Sequence, residues 1–143
     1  MKIDLSNLRS VLYSYREALD VTEDVSRESS IDGALYHTLQ LGVVHNFKVA
    51  YELFWSYLKQ SLEVVSLSHI NVNKLSYLDM LREASKNGLI GDFTNWIFYR
   101  DARNLVSSTY DQKKSLRVYV IAKDFYFEVD KFYSNLDKMN RAI

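Results

Sequence analysis

The chain contains no cysteine and no proline, and only four glycines, Gly33, Gly42, Gly88 and Gly91, in 143 residues. Without cysteine there can be no disulfide, no thiolate metal site and no cysteine nucleophile. Without proline nothing breaks a helix interior by ring geometry, which suits long uninterrupted helices. Net charge is also lacking, because 18 Lys+Arg balance 18 Asp+Glu. That argues against nonspecific nucleic-acid binding, which needs net positive charge to displace counterions, although a local basic patch stays compatible with it. No apolar run approaches the length needed to span a bilayer, and Met1-Lys2-Ile3-Asp4 lacks the apolar core of a signal peptide. The expectation is a soluble, cytoplasmic protein with no membrane partner.

Further absences concern chemistry. His37, His45 and His69 share no metal-binding spacing with one another or with a glutamate, so no metal site is expected. There is no glycine-rich phosphate loop, no dinucleotide fingerprint and no Gly-x-Ser-x-Gly elbow. Carboxylates are plentiful but scattered. The residues call for no cofactor, and any nucleotide-handling machinery is expected to come from a partner.

What the chain does have is aromatic mass and helical periodicity. Hydrophobic residues make up 48% and aromatics 14%, including 11 tyrosines. Such a surplus supplies cores and points to a partner surface. Leu5, Leu8, Leu12, Tyr15 and Leu19 step by three and four along one helix face, with Asp4 or Ser6 placed to cap it. Thr22 to Ser30 reads as helix end plus loop. The strongest stripe is Val44, Phe47, Tyr51, Phe54, Leu58, Leu62 and Val65, widened by Trp55, on a helix starting near Ile31 or Asp32. Gly42 within it is read as a point of close packing, since glycine there otherwise costs up to about 1 kcal/mol. Ser66 to Asn73 reads as a loop.

A short third helix follows, with Ser76 and Asp79 as a capping-box-like pair, Leu78, Leu81 and Ala84 inward, and Asn87-Gly88 as its stop. Asp92 then caps a fourth helix bearing Trp96, Ile97, Tyr99 and Leu105, which frays near Ser107 to Asp111. The last helix carries Val118, Ile121, Phe125, Val129, Phe132, Leu136 and Met139. The whole reads as a single all-α domain over residues 1–143, an up-and-down, four-helix-bundle-like array of four to five helices.

One stretch concentrates polar function. From Arg100 to Asp111 the chain places Arg103, Asn104, Ser107 and Tyr110 together at the end of a helix. Arginine can grip a phosphate through two hydrogen bonds, and Asn, Ser and Tyr add donors. The same residues also suit an ordinary helix C-terminus, where Arg and Asn satisfy orphan carbonyls.

Three blocks of sequence resemble the HEPN superfamily, in its branch of nucleotidyltransferase substrate-binding proteins. The first is the run from Phe47 through Tyr51 and Glu52 to Trp55, similar to the family's Phe-x-x-x-Tyr-Glu-x-x-Trp helix. The second is Arg82-Glu83-Ala84 with Gly88-Leu89-Ile90, Asp92 and Trp96. The third is Arg103-Asn104-x-x-Ser107-Ser108-x-Tyr110, where the family pattern has histidine at the position of Ser108.

The resemblance implies a homodimer that partners a minimal nucleotidyltransferase, with a nucleotide or RNA as the ligand class. In toxin–antitoxin members the partner transfers AMP onto the tyrosine that Tyr110 matches, and a hydroxyl near Arg103 suits that role. A packed aromatic with a bonded hydroxyl is the equal alternative for Tyr110. HEPN ribonucleases use an Arg-x4-6-His motif without metal, and serine cannot replace histidine as general base unaided. A non-catalytic substrate-binding subunit is therefore the leading reading. A ribonuclease toxin with an altered site and a purely structural interaction bundle are its alternatives. Tyr51, Trp55 and Trp96 are expected to pack, and Glu52, charged on an apolar helix, is expected to need a partner such as Arg103.

Overall fold

The structure, a computed structural model, describes residues 2–28, 32–66, 71–106 and 112–143. The regular elements among the described residues are all helices, with no strand among them. Five helices run α1 (Ser6–Ser26), α2 (Gly33–Val65), α3 (Tyr77–Lys86), α4 (Trp96–Val106) and α5 (Gln112–Ala142), with a 3-10 turn at Val72–Lys74 before α3.

Three long helices and two short ones match the periodicity, and the side-chain pairs fix their directions. Along α1 and α5, Ile3 meets Asn140, Arg9 meets Tyr133 and Tyr15 meets Ala122, so position numbers rise on one helix as they fall on the other. The two are antiparallel. Between α2 and α5, Phe47 meets Phe125 and Phe54 meets Phe132, a constant offset that makes them parallel. With α4 running back along both, the order is up, down, up, down, and α3 is an additional short helix beside α2.

The core lies where the stripes converge. Leu8, Tyr15, Phe47, Phe54, Leu58, Leu62, Phe125, Val129, Phe132 and Leu136 are all fully buried. Phe125 is its aromatic centre, with ring contacts to Phe47, Tyr51, Trp96 and Tyr99. Complete burial of side chains this large contributes about 1.5–3 kcal/mol each, which is what holds the long helices together.

Helix α1 runs to Ser26 and then turns, so the described part of Thr22 to Ser30 is helix end plus loop as expected. Several local expectations change. Thr22 is fully buried because its hydroxyl donates to the Ala18 carbonyl at 2.7 Å, so a polar residue joins the inward stripe. Asp4 accepts from the Ser6 backbone N–H and hydroxyl, yet it sits one residue ahead of the helix cap at Leu5.

Asp32 caps α2 through the Ala34 N–H as expected, while Ile31, the other proposed start, lies outside the described residues. Gly42 is not a close-packing point, because a Cβ built there meets nothing within 4 Å. The span Ser66 to Asn73 includes part of the 3-10 turn, and its residues 67–70 lie outside the described ones.

Ser76 caps α3 by accepting from the Asp79 N–H, but Asp79 turns to Arg82 instead of reaching back. Leu81 and Ala84 face inward whereas Leu78 is 47% exposed. Gly88 ends α3 with φ of +74°, the left-handed conformation that glycine adopts without strain. Asp92 caps an Asx turn onto Thr94, one turn ahead of the first helical residue Trp96. Ile97 points outward.

Candidate binding edge between helices α2 and α4

Helices α2 and α4 meet along the rings of Phe54 and Trp96, stacked with centroids 4.3 Å apart. Trp96 is therefore a packing residue, and it sets the register of α4 on α2. Among the described residues, its buried indole N–H finds no acceptor. One face of α2 beyond this contact carries Tyr51, Glu52 and Trp55, and α4 presents Arg100, Arg103 and Asn104 across from it.

Arg103 and Glu52 are brought together. The Arg103 Nη2 lies 2.6 Å from Glu52 Oε1, joining two helices across 51 positions of sequence. Glu52 is not buried as its apolar helix suggests: its side chain is 57% exposed and that of Arg103 is 26% exposed. Ion pairs so open to water contribute about 0–1 kcal/mol, so this one aims the guanidinium more than it stabilises the fold. Tyr51 is buried beneath it, and Trp55 is half-buried. Burial pushes the Tyr51 phenol up, and the indole N–H of Trp55 and the two arginines partly offset that. Asn104 stands exposed beside Arg103 and is engaged by neighbouring groups. Ser107, Ser108 and Tyr110 lie outside the described residues, as does His69.

Two residues of this edge were not singled out from the sequence. Arg100 holds its guanidinium carbon 4.8 Å from the centre of the Tyr77 ring. The Tyr77 hydroxyl donates to the Trp96 carbonyl at 2.8 Å, and its ring packs against Trp55 at 5.0 Å. Burial pushes the Tyr77 phenol up to about 12, so it stays protonated and neutral near pH 7. A spacing signal existed, since Arg100 and Arg103 are three apart and share a helix face. Tyr77, on another helix, gives no such local clue. Among the described residues no three His, Asp or Glu side chains converge as a metal site would require.

The edge thus gathers two arginines of one helical face beside the rings of Tyr77 and Trp55, Arg103 paired with Glu52 and Arg100 over Tyr77. The family model described as "Nucleotidyltransferase substrate binding protein like" matches residues 3–138. A protein of Haemophilus influenzae named "Probable ribonuclease HepT" is 31% identical over 140 residues, covering 98% of this chain and 96% of that one. A solved structure from Haemophilus influenzae, described as revealing the fold of a substrate binding domain of a nucleotidyltransferase, superposes with a TM-score of 0.84 at 31% identity. It covers 94% of this chain and 99% of its own. The chain belongs to the nucleotidyltransferase substrate-binding-protein-like family, the HEPN branch that its three sequence blocks resemble.

Proposed function

We propose that this protein is the non-catalytic, substrate-presenting subunit of a minimal nucleotidyltransferase, acting as one HEPN-like domain in a cytoplasmic toxin–antitoxin pair. Tyr110 is the nucleotidyl acceptor and Arg103 compensates the charge of the incoming phosphate. The observation that carries this reading is Arg103 itself, fixed by Glu52 at the end of α4, four residues before its motif's Ser107. Ser108 in place of histidine supports a presenting role over ribonuclease chemistry, because a hydroxyl offers no proton-transfer group near neutral pH.

The working unit is a homodimer. Helices α4 and α5 leave a groove of about 510 Å³ lined by Phe98, Ala102, Leu105, Leu116, Val120 and Ile121. Phe98, Leu116 and Val120 are each more than half exposed. Asp101 and Arg117, of opposite charge, also line the groove and are available to pair between copies across it.

The relative's printed name favours a second reading, ribonuclease activity. The two separate cleanly. Purified protein should leave RNA intact and should capture a small nucleotidyltransferase from the same cells. RNA cleavage that disappears in Arg103→Ala would reverse the assignment.

A further inference from the structure

The cleft between α3 and α4 adjoins the Arg103 edge but has no part in the reading above. Tyr77, Leu78 and Leu81 form one wall, Ile97 and Arg100 the other, and Phe93 closes the end. Its volume of about 270 Å³ falls just short of pockets that take a whole drug-sized ligand, which run from about 300 to 1,000 Å³. It has room for one planar ring system.

The two arginines of α4 differ in what holds them. Arg103 is engaged by Glu52, whereas Arg100 meets no carboxylate among the described residues and rests on the Tyr77 ring. A guanidinium held over an aromatic face by cation–π attraction is not neutralised by it and keeps N–H donors for an anion. The Tyr77 ring is itself fixed by its bond to the Trp96 carbonyl, so Arg100 is held at the mouth of the cleft without being neutralised. Apolar walls behind one unneutralised cation are the complement of a planar ring carrying an anion.

We propose that the α3–α4 cleft is a nucleoside monophosphate site, with the base between Leu78, Phe93 and Ile97 and the phosphate on Arg100. The choice of a nucleotide among planar anions rests on the nucleotidyltransferase-partner reading. The location and polarity of the site rest on the cleft alone.

The test is titration of the full-length protein with AMP, followed by methyl NMR of Leu78 and Ile97, with adenosine and ribose 5-phosphate as half-ligands. AMP should shift both methyl groups, and each half-ligand should bind more weakly than AMP. Arg100→Ala should weaken AMP at least about tenfold, the scale of one charge-assisted contact. Ile97→Trp, which fills the cleft from an exposed position, should weaken it comparably, and Arg100→Lys should recover part of the loss. Unchanged affinity in Arg100→Ala and Ile97→Trp would overturn the site, as would AMP shifts confined to residues outside α3 and α4. Failure of AMP to bind, while the protein still captures a nucleotidyltransferase, would remove the site and leave the partner reading standing. AMP binding through these residues in a protein that captures no nucleotidyltransferase would do the reverse. Shifts produced by a short oligoribonucleotide and not by AMP would also overturn the proposal, in favour of an RNA-directed edge.

Discussion

Helix α5 has two edges, and they are finished differently. Along α1 the seam is closed. Ile3 and Asn140 exchange backbone–side-chain bonds at 3.0 and 2.8 Å, Tyr15 donates to the Ala122 carbonyl, and Glu23 pairs with Lys123. Large apolar groups along this seam, such as Leu8, Leu12 and Tyr15, are covered. Along α4 the seam is open to water, with Phe98, Leu116 and Val120 exposed. Burying such side chains completely is worth about 1.5–3 kcal/mol each, so the open edge retains several kcal/mol of association energy that the closed one has already used. The α1 edge of the helix is closed within the monomer, whereas the α4 edge keeps an apolar strip in water that the proposed dimer would cover.

The comparison is broken most severely at the centre of the helix. Phe125→Ala removes the ring on which Phe47, Trp96 and Tyr99 converge and should cost about 3–5 kcal/mol in chemical denaturation. A much smaller loss would mean the aromatic centre is loosely packed. Next is Val120→Asp at the open edge. It should leave monomer stability within about 1 kcal/mol while converting the proposed dimer to monomer by native mass. Retained dimers would place the interface elsewhere.

Tyr15→Phe tests the closed seam more gently. The Ala122 carbonyl keeps its place in the α5 ladder, so only one hydrogen bond is lost, about 0.5–1.5 kcal/mol. Away from both edges, Gly42→Ala should stabilise by up to about 1 kcal/mol, since the added methyl meets nothing. Destabilisation there would restore the close-packing interpretation. Smallest in stability is Glu52→Gln, expected to change unfolding by less than about 1 kcal/mol while releasing Arg103, visible in its side-chain NMR signals. An unmoved Arg103 would show that Glu52 does not position it.

The long helices were legible because their apolar residues recur at helical steps over many turns, and α2 and α5 bury that stripe almost completely. Short helices were less so. Periodicity says which residues share a face but not how far the neighbouring element reaches over it, so Leu78 and Ile97 lie on stripes whose outer parts remain in water. Thr22 reads as polar and is buried because the helix's own carbonyl satisfies its hydroxyl. The Glu52–Arg103 pair was readable from a local conflict, a carboxylate on an apolar helix, although the pair sits at the rim and not inside. Arg100 over Tyr77 was not readable, because the contact joins α3 to α4 and neither residue departs from its local pattern.

The central claim is that this bundle presents a hydroxyl to a nucleotidyltransferase. It is tested most directly by native and intact mass spectrometry of the protein purified from its own cells. The account predicts co-purification with a small nucleotidyltransferase and AMP-sized additions that vanish in Tyr110→Phe. An unmodified homodimer with no companion, accompanied by RNA cleavage that depends on Arg103, would contradict it.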